Sequence, residues 1–480
     1  MCGVLFFKGP SASRNLKEGL KLIGHRGPDD CKIWEASDIS IGFVRLSINE
    51  PNAKGAQPCI FENYVGVFNG EIYNHNKIKK KHRINISSKC DTHVILPLFS
   101  KNKALVLPEL DGFYSGIIYD KQNCKVYLIR DHIGQKPLFY GKSNEDYFIT
   151  SELKAIKDLD WFKEAPCGMS VLDSGFDNLK LLHNHICPEY TDNLFKLLDE
   201  AVRKRLPSSN HKLGVFLSGG LDSSIITILS KKYFKEIHYF ILGSESGDDL
   251  KMANLMVKQC KLNNVTRVPL PMKEEEIEKL LEEVVYHTES YNPSIISNGL
   301  ATYLLSREAK RQGIKVVLSG EGADEFFGGY YNGLNAKEWQ LKQESLIDDM
   351  HFTELRRLDL SSMAHGIEVR CPFLDQKIRD YAENLKINDV FELDINKVIL
   401  RKTFAHLLPG EIASRKKISF DVGSGIRKIV VEFLTKNGRS EKEELYKIWR
   451  KLYPNRKVDK YFHSYPVFDK AIEKRGIKHK

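Results

Sequence analysis

The sequence predicts a two-domain protein, α+β in its first half and α/β in its second. Three observations carry this. At 480 residues the chain exceeds what one hydrophobic core usually organises, so two cores are expected. The first half reads as short apolar runs broken by turn residues, at 41–48, 64–68, 116–119, 126–129 and 147–150, which is the pattern of strands. Beyond residue 190 helical patterns alternate with buried strands: 213–217, 223–233, 237–242, then 300–312 and 315–318. That order predicts a parallel sheet flanked by helices. The expected domains are 1–185 and 186–480, because Gly175, Asn178, Asn184 and Pro188 interrupt the apolar periodicity between Asp173 and Glu189.

Composition narrows the function classes. With 42% hydrophobic and 28% charged residues, the chain is neither disordered nor fibrous. It contains no unbroken stretch of about 20 apolar residues and starts without a basic leader, so a cytoplasmic protein is expected. Nine cysteines stand singly, an odd number without a Cys-x-x-Cys pair, which argues against a disulfide framework and a zinc site. The net charge of +10 is spread out, apart from the lysines at 77–81 and the basic end at Lys480. A solvated basic face is the better reading than a nucleic-acid site.

The apolar strand Gly214-Val215-Phe216-Leu217 runs into Ser218-Gly219-Gly220-Leu221-Asp222-Ser223-Ser224 and then into a helical pattern. Glycines let a backbone approach an anion, while serine hydroxyls and helix N-terminal amides donate to it, so this loop suits phosphate. Asp222 fits beside phosphate only if a divalent cation lies between them, as in magnesium pyrophosphate. Gly141-Lys142-Ser143 echoes another phosphate signature but fails it, since position 136 holds lysine where glycine is required. A second strand, Val316-Val317-Leu318, delivers Ser319-Gly320-Glu321-Gly322-Ala323-Asp324-Glu325. Carboxylates grouped in glycine turns at a strand end suit a metal and a proton acceptor.

This pair of segments resembles the pyrophosphatase-type ATP site of the asparagine synthetase family, in which a carboxylate is adenylated and pyrophosphate leaves. The resemblance implies that Ser218, Gly219, Gly220, Asp222 and Ser223 hold the pyrophosphate and that Asp222 and Asp324 bind Mg2+. It further implies that Phe216, Leu242, Ser319 and Gly320 contact adenosine, that Glu321 acts in ammonia attack, and that Lys397, in Lys397-Val398-Ile399-Leu400-Arg401, stabilises charge on the adenylate. The segment from Met363 to Asp375 also follows the family.

Cys2 adds the other half. After removal of Met1 it would carry a thiol and a free α-amine of pKa about 8, which can accept the thiol proton without a histidine. His25-Arg26-Gly27-Pro28-Asp29, Arg45-Leu46-Ser47-Ile48, Asn69-Gly70-Glu71-Ile72-Tyr73-Asn74 and Cys90-Asp91-Thr92 resemble the glutaminase domain of amidotransferases that use an N-terminal cysteine. By that resemblance Asn69 and the Gly70 N–H form the oxyanion hole, Arg45 pairs with the glutamine carboxylate, and Glu71 and Asp91 receive its ammonium. Arg130-Asp131-His132 and Ser151-Glu152-Leu153-Lys154 also match, with His132 read as structural.

The resemblance therefore implies an Ntn-hydrolase-like glutaminase of four αββα layers ahead of a Rossmann-like ATP-pyrophosphatase domain. Ammonia released from glutamine by Cys2 would attack a β-aspartyl-AMP intermediate, giving asparagine, glutamate, AMP and diphosphate, and a dry passage between domains would keep the ammonia unprotonated. The expected partners are glutamine, ATP and aspartate, with no nucleic acid and no membrane; a homodimer is compatible. One departure stands out: where the family carries Thr-Ile-Arg-Ala-Ser, this sequence has Ile295-Ile296-Ser297-Asn298-Gly299. An arginine is a natural partner for an anionic acceptor, so its replacement by Ser297 keeps two alternatives open. One is the same enzyme build acting on a sugar acid or peptide; the other is a non-catalytic binding homologue.

Overall fold

A computed structural model describes residues 2–103, 106–173, 176, 178–183, 193–208, 211–244, 247–330 and 334–454. Most of the expected interdomain break, including Gly175, Asn184, Pro188 and Glu189, and the basic end at Lys480 lie outside the described residues. The chain divides into two compact units, Met1–Ile186 and Cys187–Pro454. No helix among the described residues is long and apolar enough to cross a membrane.

The first unit stacks two six-stranded sheets. One runs Trp161–Glu164, Phe139–Ser143, Asp146–Thr150, Cys2–Lys8, Ile39–Arg45, Asp30–Ala36 across its width; the other runs Leu179–His183, Gly168–Leu172, Lys125–Arg130, Gly112–Asp120, Tyr64–Ile72, Cys59–Phe61. Strand alternation sorts the residues into layers. Val4, Phe6, Ile41 and Phe43 of one sheet meet Val65, Val67, Ile117 and Leu128 of the other in a single core. Phe68, Ile72 and Ile118 face the opposite way, onto Ile78, Leu96 and Phe99 of the helices His75–Lys81 and Ile95–Lys101. The helix Ala12–Leu22 covers the outer face of the first sheet, where a Cβ at Gly19 would come within 2.7 Å of the Leu5 side chain. The four αββα layers follow from this.

The second unit is built on a five-stranded sheet, entirely parallel, in the order Val265–Val268, Ile237–Leu242, Leu213–Phe216, Val316–Leu318, Glu368–Arg370. The chain starts at the central strand, moves to one side, and returns to build the other. The reversal opens a crevice at the carboxyl ends of Leu213–Phe216 and Val316–Leu318, the place where such sheets bind ligands. The three inner strands are near-continuous apolar runs because helices cover both faces, whereas the edge strands Val265–Val268 and Glu368–Arg370 carry polar and charged residues. The longest helix among the described residues, Pro293–Arg311, starts at Asn292, whose side chain accepts from the Ser294 N–H at 2.9 Å with proline in the first turn. Past residue 425 the chain continues as the helices Ile426–Thr435 and Glu441–Leu452. The second buries Trp449 against Tyr291 and Tyr453.

Candidate active sites in the two units

In the first unit, strand pairing brings the candidate residues together. Cys2 pairs with Arg45 in the register that sets Val4 opposite Phe43 and Phe6 opposite Ile41, so both stand on the inter-sheet side, at the edge of the core. Asn69 shares that side with Val65 and Val67 and is completely buried. The backbone nitrogen of Cys2 donates to Asn69 Oδ1 at 2.9 Å. Asn69 Nδ2 has no hydrogen-bond partner among the described residues. A buried amide donor held spare beside a thiol is what an oxyanion hole requires. At Gly70 φ is +140°, and a Cβ would lie 2.0 Å from the Phe113 carbonyl oxygen, so only glycine lets this backbone run beside Asn69.

The charged candidates cluster too. Glu71 and Asp91 are bridged by Asn49, whose Nδ2 donates to Glu71 Oε2 at 2.6 Å and to Asp91 Oδ1 at 3.2 Å; Asp91 Oδ2 accepts from the Ile72 N–H at 2.6 Å. Arg45 is nearly fully buried and donates to the carbonyls of Asn49, Glu50 and Asn52. Asn49 was invisible to sequence reasoning because an asparagine ahead of Pro51-Asn52 reads as a turn former. Two further residues lay in recognised segments without a role. Arg26 donates from Nε to the Cys2 carbonyl at 3.0 Å and from Nη1 to Glu152 at 2.6 Å. Burial would push the Glu152 carboxyl up, but Lys154, His25 and Arg26 outweigh it and hold it well below the usual range. The cysteine strand is thus braced by a buried ion cluster.

In the second unit a cleft of about 290 Å³ opens at the crevice in the sheet, lined by Phe216, Ser218, Gly220, Asp222, Ser223, Ser319, Gly320, Glu321, Asp324 and Lys397 among others. The 218–223 loop is preformed. Ser218 and Ser223 hydroxyls lie 3.0 Å apart, the Gly220 N–H donates to Ser218 Oγ at 3.3 Å, and Gly220 caps the helix Leu221–Lys231. A Cβ at Gly320 would come within 2.9 Å of Asp222 Cβ and of the Ser223 nitrogen, so glycine there lets the two strand-end loops touch. Two predicted contacts stand apart from this wall. Leu242 is completely buried at its strand end, and Gly219, with φ +70°, turns toward the backbone of Met252 and Ala253.

Lys397 ties the carboxylates together. Its Nζ lies 2.8 and 2.7 Å from the two Asp222 oxygens and 2.6 Å from Asp324 Oδ1, and Lys417 donates to Asp324 Oδ2. Lys397 sits just before the helix Val398–Phe404 with left-handed backbone, φ +54°. Burial alone would raise Asp324, but the two ammonium groups win and hold its carboxyl at about 2. Two carboxylates close together at the 218–223 loop could hold a divalent cation such as magnesium, whose remaining positions are ordinarily filled by substrate oxygens and water.

Beyond Asp324 the cleft turns acidic. Glu321 pairs with Arg357 at 2.5 Å. Burial and the charges of Asp324, Glu354 and Glu321 push buried Glu325 up to about 8, and Tyr330 donates to it at 2.6 Å. Arg357, Glu354 and Lys417 were missed from sequence because nothing in their spacing links them to the strand ends. Ser297 is completely buried and donates to Asp421 at 2.9 Å.

Family models match the two parts of the chain separately. A glutamine amidotransferase domain family matches residues 1–176, and the asparagine synthase family matches 193–348 and 338–467. Asparagine synthetase B (glutamine-hydrolysing) of Escherichia coli K12 is 32% identical over 84% of this chain and 78% of its own. A probable glutamine-hydrolysing asparagine synthetase of Acanthamoeba polyphaga mimivirus is 30% identical over 88% and 85%, and asparagine synthetase 1 of Arabidopsis thaliana 31% over 88% and 78%.

Proposed function

Since the chain belongs to the family of glutamine-hydrolysing asparagine synthetases, we propose that it makes asparagine from aspartate, with ATP as the activating substrate and glutamine as the source of nitrogen. The observation that carries this is the meeting of Asp222, Asp324 and Lys397, from three separate segments, at the crevice of the parallel sheet.

With Met1 removed, the Cys2 thiol passes its proton to the adjacent α-amine and attacks the glutamine side-chain amide. The spare Asn69 Nδ2 and the Gly70 N–H donate to the developing oxyanion, ammonia leaves, and water then releases glutamate. Arg45 takes the α-carboxylate of glutamine. Its ammonium displaces the Asn49 amide between Glu71 and Asp91, two anions that need a cation more than a neutral donor.

In the second unit the 218–223 loop cradles the diphosphate while the β-carboxylate of aspartate attacks the α-phosphorus. A magnesium ion held by Asp222 and Asp324 would neutralise the departing diphosphate. Lys397 offsets the charge of the adenylate, Ser319 and Gly320 line its path, and Glu321 stands ready for the proton that ammonia sheds as it displaces AMP. A cytoplasmic setting agrees with the free thiols at every described cysteine.

The test is to supply amide-labelled glutamine, magnesium ATP and aspartate. Labelled asparagine should form with AMP and diphosphate in equal amounts. AMP release with another carboxylate but not with aspartate would move the reading to that acceptor, and no diphosphate with any acceptor would leave a non-catalytic homologue.

A further inference from the structure

One polar atom in the nucleotide cleft is left over by this account. Asp249 lines the cleft and is only 2% exposed. Arg415 Nη2 donates to its Oδ1 at 2.6 Å, whereas Oδ2 is buried with no hydrogen-bond partner among the described residues. A buried carboxylate oxygen without a donor is costly, and native structures rarely leave one so. Helix-start electrostatics do not account for it. The helix Asp248–Gln259 already has Asp248 in its first turn, with a side chain 64% exposed.

The surroundings say what donor is missing. Backbone at Gly423 closes over the carboxylate, where a Cβ would lie 2.3 Å from Oδ1 and 2.7 Å from Oδ2. The Gly423 backbone thus closes one side of the carboxylate, while Asp249 itself lines the cleft on another. Arg415 also reaches the Ser218 carbonyl at 3.4 Å. Gly219, in the same phosphate loop, rests against Met252 and Ala253, one turn along from Asp249. The carboxylate therefore stands beside the phosphate cradle, past the end of the strand Ile237–Leu242, which neighbours the strand feeding that cradle. In dinucleotide-binding sheets of this kind an acid after the second strand takes a ribose hydroxyl, and Asp249 follows the neighbouring strand Ile237–Leu242 in the first turn of Asp248–Gln259. An anionic ligand group is excluded by charge, and a neutral hydroxyl donor suits an oxygen already half-neutralised by arginine.

We propose that Asp249 is the ribose-recognising residue of this cleft, with Oδ2 accepting a hydrogen bond from a ribose hydroxyl of ATP. The assignment rests on the reading of the cleft as an ATP site. Burial, opposed by Arg415, raises the Asp249 carboxyl to about 6, and a hydroxyl donor would bring it down.

The experiment measures diphosphate release with aspartate and ammonium chloride, comparing ATP with its 2′-deoxy, 3′-deoxy and 6-deamino analogues. The wild type should favour ATP over one deoxy analogue by about 10- to 100-fold in kcat/KM, as for a hydrogen bond to a charged acceptor. D249A should shrink that ratio to within about 3-fold by losing activity on ATP alone, with D249N in between. The 6-deamino ratio should be the same in all three proteins. Urea melts of both variants confirm that the second unit is folded, and wild-type discrimination alone tests the idea without any variant. Equal use of ATP and both deoxy analogues, an unchanged ratio in D249A, or a loss confined to the 6-deamino arm would overturn the ribose assignment while ATP turnover keeps the nucleotide reading intact. Failure of ATP itself would remove both.

Discussion

Replacing Lys397 with methionine keeps most of the side-chain volume and removes the ammonium that holds two carboxylates together. Its Nζ lies within 2.8 Å of both Asp222 oxygens and 2.6 Å from Asp324 Oδ1, so the nearest oxygens of the two aspartates are no more than about 5.5 Å apart. At an effective dielectric near 20, unit charges at that distance repel by about 3 kcal/mol. The carboxylates are only 16% and 13% exposed, so water screens little of this, and Lys417 still neutralises part of Asp324. K397M should therefore lose about 3 to 4 kcal/mol of second-unit stability, the range for breaking a buried ion pair. Asp222→Asn in the same background should recover about half of it. Magnesium with diphosphate should raise the variant's melting temperature by more than the wild type's, because the metal supplies the missing positive charge. Urea melts of the wild type, K397M and the double variant, with and without magnesium and diphosphate, measure each of these differences. A loss below about 1 kcal/mol, or a double variant no better than K397M, would refute the electrostatic account.

In the first unit, C2A should abolish glutamine-dependent synthesis and spare synthesis from ammonium chloride; retained use of glutamine would remove Cys2 from the mechanism. N69A should slow glutaminase turnover by about 10²- to 10³-fold by losing one oxyanion donor, and an unchanged rate would place the oxyanion elsewhere. Glu325 titrates at about 8 in the fold against about 4.3 in an unfolded chain. The native state thus keeps the proton across that window, and its stability falls as pH rises from about 4.5 toward 8. E325Q lacks this titration, so its stability relative to the wild type should grow between pH 5 and pH 8 in ligand-free melts, and parallel profiles would contradict it.

The layered first unit and the parallel second sheet were both legible, because strand alternation and the helix–strand rhythm are local properties of the sequence. The strand at 41–48 shifts to Ile39–Arg45 and the helix at 300–312 lengthens to Pro293–Arg311; boundaries depend on caps and tertiary contacts that short apolar runs do not encode. Within the sites, what could be read was what a backbone turn demands: Gly70, Gly219 and Gly320, and the serines and aspartate of the 218–223 loop. What could not be read was any partner brought in from far along the chain. Asn49 reaches Glu71 and Asp91, Arg357 reaches Glu321, and Lys417 reaches Asp324 across 93 positions. Each is an ordinary polar residue in its own neighbourhood. Only folding gives it a role.

The alternation that lines up Cys2, Arg45 and Asn69 on the inner faces of the sandwich also makes the glutaminase intolerant of a particular kind of change. Substitution along the strand Tyr64–Ile72 perturbs one position at a time and can be graded. Inserting or deleting a single residue ahead of Asn69 would rotate the rest of the strand by half a turn, carrying the amide to the helix-covered side and an apolar neighbour to the thiol. A two-residue change would restore the face but slide Asn69 about 6.6 Å along the strand, away from Cys2, so length variation here has to be taken up by bulges or by the surface turns.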